Sequence, residues 1–220
     1  MDFVFQNSPN AIQMFLQTVY SAPIPNICSI YVTGGASQLL SHVFTVPGAS
    51  RSIMEAAVPY NRAALSSLLR RNNDQQCCNS ETALLMADTA RKNSAEVLLR
   101  DTMNLADLAR SNIFGLSVTA ALVTATPKKG AHRCFVGCRT MTGGFLLSLE
   151  LEKGLRTRLE EDFVCSRLAL DAMARACHIL EIPVDYLRPS DDGTLNFRVN
   201  IHFRIIYPQN FRRSCRSGPL

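Results

Sequence analysis

The chain has 220 residues, of which 47% are hydrophobic, and a formal net charge of +5 at pH 7. That is enough chain for one globular domain with a full core, and no apolar run approaches the ~20 residues of a membrane-spanning helix. The first residues, MDFVFQNSPN, contain an early acid and lack the basic region of a secretory signal, so we expect a cytoplasmic protein.

Apolar periodicity and turn residues predict alternating helices and strands in the first half of the chain. A β-branched run leads into Thr33-Gly34-Gly35, and an amphipathic segment follows it. Strand, glycine turn and helix in that order expose backbone N–H groups where a phosphate or other anion can bind. Helices are predicted at residues 11–20, 36–45 and 62–70, strands at 26–32 and 52–58, and a polar loop at 71–79.

The second half begins with a long predicted helix from Ser80, followed by a second helical segment at residues 94–108. The continuously apolar stretch IFGLSVTAAL predicts a central strand at 112–121. Gly143-Gly144 indicates a hairpin between strands at 132–141 and 145–152. An amphipathic helix at 158–180 and an alternating strand at 194–207 complete the pattern.

This order predicts a single α/β domain with helices on both faces of a mixed sheet. We place the domain at residues 1–187 and a C-terminal extension, with the late strand and a basic tail, at residues 188–220. Arginines recur through the tail without any acid, a pattern that suits either a nucleic-acid surface or an edge strand facing water. Because the rest of the chain is near neutral, we favour the edge strand and expect neither nucleic acid nor membrane as a partner.

Eight cysteines are present, but none forms a CxxC pair, and the four histidines show no zinc-ligand spacing. We therefore expect reduced, mostly buried thiols, no metal site and no cofactor.

Six short motifs in order resemble the C-terminal domain of the CinA family of competence/damage-inducible proteins, whose members include nicotinamide-nucleotide amidases. The motifs are TGG at 33–35, VPGAS at 46–50, VPYN at 58–61, VTAA at 118–121, PKKGAHR at 127–133 and SRLAL at 166–170. Each is weak by itself, and their order over roughly residues 27–180 carries the resemblance. The last two motifs resemble those of eukaryotic relatives of the domain more than those of bacterial ones. The family's fold is a three-layer α/β/α sandwich on a mixed, mainly parallel sheet.

The resemblance implies hydrolysis of the carboxamide of nicotinamide mononucleotide, an acyl transfer that needs a nucleophile, a base and oxyanion donors. The family takes its nucleophilic serine from an ESCTGG motif and its activating lysine from a YSNxxK motif. In this chain the corresponding positions hold Tyr31 and Ala64, and Ile30 and Val32 flank the tyrosine. A tyrosine hydroxyl with a pKa near ~10 is a poor nucleophile at neutral pH, and alanine accepts no proton. We therefore predict no catalytic residue.

A binding site remains a candidate at the same place. Backbone N–H groups around the glycines would hold a phosphate, as in a nucleotide. The resemblance implies a substrate-binding set of six residues: Tyr31, Thr33, Gly34, Gly35, Asn61 and Thr119. The alternative is that the glycines serve only the turn and that Tyr31 fills the former pocket. His132 is expected at an exposed strand edge.

Three functions compete. The first is a CinA-like protein that has lost amidase activity and acts as a nucleotide-binding or assembly module. The second is a divergent amidohydrolase acting on nicotinamide mononucleotide or a related nucleotide amide, in which Ser29, Tyr31 or Ser37 contacts a lysine, histidine or acid. The third is a structural partner in a homo-oligomer or with an active paralogue, for which the helix at 158–180 would expose apolar area.

Overall fold

The computed structural model describes residues 9–70, 77–127, 129–179 and 199–206, and these form six α-helices and six strands. The helices are α1 (Pro9–Tyr20), α2 (Ser37–Thr45), α3 (Arg62–Leu69), α4 (Ser80–Thr102), α5 (Leu105–Arg110) and α6 (Arg158–Ala176). The strands are β1 (Asn26–Thr33), β2 (Ile53–Ala57), β3 (Asn112–Ala121), β4 (His132–Thr140), β5 (Gly144–Leu151) and β6 (Val199–Ile206). None of the described helices combines the length and apolar character that a bilayer crossing requires.

The six strands form one mixed sheet in the order β2-β1-β3-β4-β5-β6. β1 lies parallel to both of its neighbours, β2 and β3. The three remaining pairs, β3 with β4, β4 with β5 and β5 with β6, are antiparallel. The mixed three-layer sandwich is confirmed, but the expectation of a mainly parallel sheet is wrong. A parallel pair needs a long crossover, whereas the connection at Gly143 is short enough only for a hairpin.

Helices cover both faces of the sheet, as predicted. α1, α2 and α6 enclose the larger core on one face, here called the first face. α3, α4 and α5 pack on the opposite, second face. All eight residues of β1 are buried, and alternate residues point to alternate faces, with Ile30 and Val32 on the first and Tyr31 on the second. Burial on both faces is the physical reason for its continuous apolar run.

α4 lies unusually close to the centre of the sheet. A Cβ at Gly115 would stand 2.0 Å from the carbonyl oxygen of Ala87, and one at Gly137 would stand 2.7 Å from that of Ala83. Ser117 Oγ donates a 2.6 Å hydrogen bond to the same Ala83 oxygen. The sheet therefore presents small residues where the helix crosses it, which lets the two backbones approach.

Two sequence predictions of helix boundaries need correction. The predicted segment at 94–108 is divided, because α4 continues to Thr102 and ends at Met103, whose φ of 52° is left-handed. α6 ends at Ala176, and His178 (φ 54°) is also left-handed. Parts of the other predicted segments lie outside the described residues, namely 71–76, 180, 194–198 and 207. The predicted domain boundary at 187/188 also lies outside them.

Candidate functional site

The predicted site lies where the parallel strands β1 and β3 end. Thr33 and Thr119 are register partners on these strands and are both buried. Asn61 follows the next strand, β2, so its segment leaves the same edge of the sheet. Ligands of open α/β sheets bind at this edge. The structure thus brings the predicted residues to one region, and their contacts decide what the region can do.

Tyr31 is a packed core residue. Its side chain is 2% exposed and lies in a cluster with Leu65 and Met86 on the second face. Its hydroxyl hydrogen-bonds with Glu55 and Asn93, and the Asn93 amide in turn donates to Glu55. Burial, followed by the Glu55 carboxylate, raises the pKa of Tyr31 to about 12. The phenol is therefore neutral at physiological pH and is no nucleophile.

The glycine turn after β1 is shaped by its contact with β3. Gly34 has a φ of 80°, and a Cβ there would stand 1.9 Å from the carbonyl oxygen of Ala120. A Cβ at Gly35 would stand 2.6 Å from Cδ1 of Leu122. Thr33 Oγ1 donates a 3.1 Å hydrogen bond to the Pro59 carbonyl oxygen, tying this strand end to the segment after β2. Backbone packing is therefore sufficient to require Gly34, whereas Gly35 leaves room for the side chains of Leu122 and Ala120.

The N-terminus of α2 already holds an anion that belongs to the protein. The Asp162 carboxylate, 125 residues away in sequence, accepts from the Ser37 N–H at 3.0 Å and from the Gln38 N–H at 3.2 Å. Ser37 Oγ donates to the same carboxylate at 3.0 Å. Ser166 Oγ accepts a further bond, from the Leu39 N–H at 3.2 Å. These are the first-turn donors that a phosphate would use, and Asp162 satisfies them instead.

Asn61 and Thr119 make different contributions at the edge. The side chain of Asn61 accepts a 2.8 Å hydrogen bond from the Ala63 N–H and so caps α3. Thr119 Oγ1 is buried and has no hydrogen-bond partner among the described residues. Its carbonyl oxygen accepts a weak bond from Cys78 Sγ at 3.6 Å. Asn61 is therefore an exposed helix cap, whereas the Thr119 side chain is enclosed in the protein.

The first turn of α6 connects the loops around this edge, a feature that sequence reasoning missed. The exposed Arg158 guanidinium donates to the carbonyl oxygens of Val123 at 2.7 Å and Gly34 at 3.2 Å, and to the Tyr60 hydroxyl at 3.3 Å. Glu161 accepts from the Val123 N–H at 2.8 Å. A capping box at Thr157, readable from the TRLE sequence, fixes where the helix begins. The charged residues after the cap, Arg158 and Glu161 among them, were the sequence signal from which these contacts could have been suspected.

His132 is not at an exposed strand edge, and that expectation is wrong. It is 6% exposed, and its Nδ1 lies 2.7 Å from Oε1 of the fully buried Glu161. The first turn of α6 closes over this end of β4, so the carboxylate and the imidazole satisfy each other. His132 therefore belongs to the same network as Val123 and is no candidate for a phosphate contact.

Two of the three nucleophile candidates contact an acid, as the amidohydrolase alternative expects, and the bonds given for the three involve no lysine or histidine. Ser29 Oγ lies 3.0 Å from Ser94 Oγ in the core, whereas the exposed Ser37 contacts Asp162 and Tyr31 contacts Glu55. The seven cysteines in the described part of the chain are free thiols. Burial raises the pKa of Cys28, which keeps it an unreactive thiol. Within the described ranges, no group of three or more His, Cys, Asp or Glu side chains is arranged to hold a metal ion.

Solved structures of CinA-superfamily proteins share this fold. The competence/damage-inducible protein CihA from Agrobacterium tumefaciens superposes with a TM-score of 0.55 at 18% identity, over 75% of this chain and 94% of that chain. CinA-superfamily proteins from Escherichia coli (TM-score 0.54, 9% identity, 79% and 95% coverage) and Enterobacter cloacae (0.55, 8%, 80% and 98%) also match. No protein-family model matches the sequence, and no curated protein does. At this identity the comparison confirms the expected CinA-type fold.

Proposed function

We propose that this chain is a CinA-type domain that has lost nicotinamide-nucleotide amidase activity and acts as an assembly module. The observation that carries the proposal is Tyr31, which stands where the resemblance expects the nucleophilic serine. It is buried in one cluster with Leu65 and Met86, and its hydroxyl bonds to Glu55. An acyl transfer needs a reactive group that faces a substrate, and this side chain faces the core.

The position expected for the activating lysine supports the same conclusion. Ala64 lies on the exposed side of α3 and has no group that accepts a proton. Nucleophile and base act as a unit in such enzymes, so losing both removes most of the rate acceleration. The described neighbours supply no lysine or histidine to Ser29, Tyr31 or Ser37 in replacement.

Asp162 favours assembly over nucleotide binding. A nucleotide phosphate would compete with this carboxylate for the N–H groups of Ser37 and Gln38. Ligand binding at α2 would therefore require Asp162 of α6 to release the two N–H groups that it caps on α2.

Any assembly surface also lies elsewhere than along α6. The third hypothesis expected exposed apolar area on this helix, but most of its residues are buried and Leu159, in its first turn, is the large apolar residue left 71% exposed. The cytoplasm suits the free cysteines of the described residues, and we propose that location.

The test is to incubate purified protein with nicotinamide mononucleotide and to measure ammonia release. We expect no release above that of heat-denatured protein. Tyr31→Phe and Ser37→Ala are measured in parallel, because each removes the hydroxyl of one nucleophile candidate. Release by the wild type that either substitution abolishes would refute the loss of catalysis.

The alternative, a divergent amidohydrolase, has one specific observation in its favour. Ser37 is exposed, and its Oγ lies 3.0 Å from a carboxylate oxygen of Asp162. That carboxylate also accepts the Ser37 and Gln38 N–H groups, so taking the serine proton would weaken the cap of α2. Hydrolysis of a nucleotide amide that disappears in Ser37→Ala but persists in Tyr31→Phe would select this alternative.

A further inference from the structure

β6 forms one edge of the sheet. Its register against β5 is continuous from Val199 opposite Leu151 to Ile206 opposite Gly144. In the part of the chain that the structure describes, no strand pairs with its other side. An edge strand of this length presents a row of backbone N–H and C=O groups that a further strand can use.

The two edges of the sheet differ in protection. β2, at the opposite edge, has five residues, includes the acidic Glu55 and shows a register shift against β1 between Cys28 and Ser29. β6 has eight residues, VNIHFRII, with no proline, glycine or register shift, and Arg204 is its one permanent charge. Ile205 is 54% exposed. Charges, short length and irregularity are the features that prevent edge pairing, and β6 largely lacks them.

The space beside β6 is not taken by the described helices. Helices α4 and α6 pack over the sheet as far as β5, and the substantial contacts of β6 are with β5. A strand added to this edge would therefore extend the sheet without displacing a described helix.

The sequence of β6 allows self-pairing in an antiparallel register that keeps Arg204 away from the Arg204 of a second copy. We propose that a second copy of this chain pairs with β6, with a twofold axis at His202, and joins the two sheets into one. In this register Asn200 lies opposite Arg204 of the second copy, and Ile201 lies opposite Phe203. Apolar positions meet apolar positions, and the two arginines stay apart. An axis at Arg204 would instead place like charges opposite each other.

This inference deepens the proposed assembly role. Only the biological purpose of the dimer rests on that proposed function, whereas the pairing of β6 is argued from the strand itself. A monomeric protein without amidase activity would overturn the pairing alone. A β6-paired dimer that releases ammonia would overturn the loss of catalysis alone. The two proposals therefore fail separately.

Cysteine cross-linking tests the register directly. The axis places residue 202 of one copy next to residue 202 of the other, so His202→Cys should form an inter-chain disulfide under mild oxidation. Arg204→Cys is the matched control, because the two copies of residue 204 would lie about 14 Å apart, well beyond disulfide reach. Wild type controls for the native cysteines. Equal cross-linking of both variants, or none, would overturn the register.

Sedimentation equilibrium of the unoxidised protein tests the association itself. We expect a dimer for the wild type and an affinity about 2-fold to 30-fold higher for Asn200→Asp, which places an acid opposite Arg204. Asn200→Arg should weaken the dimer by a similar factor. Ile205→Lys should weaken it as well, whereas Ile24→Lys, at a comparably exposed position away from the edge, should not. A wild type that stays monomeric at 100 μM, or variants indistinguishable from it, would refute the proposal.

Discussion

Asp162 is expected to stabilise the fold by capping a helix to which it is not joined in sequence. Replacing it by alanine removes the acceptor of the Ser37 and Gln38 N–H groups and of the Ser37 hydroxyl. An acidic cap is worth ~0.5–2 kcal/mol, its attraction to the helix dipole ~0.3–1 kcal/mol, and a further hydrogen bond to a charged group ~1.5 kcal/mol. Because Ser37 is exposed, water replaces part of the loss. We therefore expect Asp162→Ala to lower the free energy of unfolding by about 2–4 kcal/mol.

Urea denaturation monitored by circular dichroism measures this difference. Glu96→Ala is the matched control, since it removes an acid from an exposed ion pair with Arg100 and should cost less than ~1 kcal/mol. Asp162→Asn keeps one acceptor oxygen without the charge and should fall between alanine and wild type. If Asp162→Ala equals the control, the carboxylate does not cap α2 in solution.

Phosphate provides a second arm of the same experiment. If the carboxylate occupies an anion site, inorganic phosphate should stabilise Asp162→Ala more than the wild type, because the helix N-terminus becomes available. Equal stabilisation of both proteins would refute the claim that Asp162 excludes an external anion.

Further predictions concern three buried contacts, each measured by urea denaturation. Tyr31→Phe should cost about 1 kcal/mol and Tyr31→Ala about 3–5 kcal/mol, through the lost hydrogen bond and the cavity. Burial raises the pKa of Tyr31 to about 12 in the folded protein, above the pKa of a tyrosine in the unfolded chain. The stability that the neutral phenol contributes is therefore lost as the pH rises from the unfolded-state pKa towards 12, and Tyr31→Phe should flatten this decline. Gly115→Ala should cost about 3 kcal/mol or more, because its Cβ meets α4 backbone, whereas Gly130→Ala, with open space, should be neutral. Glu161→Ala should cost about 2–5 kcal/mol by leaving His132 buried without its partner, and a loss under 1 kcal/mol would contradict the role assigned to this pair.

Local patterns in the sequence were sufficient for most of the architecture. The strand, glycine turn and helix at 26–45, the central strand β3 and the hairpin at Gly143-Gly144 were all predicted, and the structure confirms them. Each depends on periodicity and turn chemistry within a few residues, which is what a sequence records directly. The late strand was also predicted as an edge, and β6 is the last strand of the sheet in the part of the chain that the structure describes.

The burial and the hydrogen bonding of the candidate site residues could not be predicted from the sequence. The sequence shows that Tyr31 replaces an expected serine, but only the packing of α3 and α4 against β1 decides that the ring is enclosed and its hydroxyl bonded. It shows the glycines of the turn, but only the tertiary contacts reveal that Gly34 meets the backbone of Ala120 and Gly35 the side chain of Leu122.

What the sequence alone determined is therefore the order of the elements, the type of fold and the absence of the expected serine and lysine. What the tertiary structure decided is that the N-terminal part of α6 holds the carboxyl edge of the sheet, with Arg158 on Gly34, Glu161 on His132 and Asp162 on Ser37. These contacts join residues 29 to 125 positions apart. No local pattern specifies such pairs, because they depend on how the helix and the sheet edge meet in three dimensions.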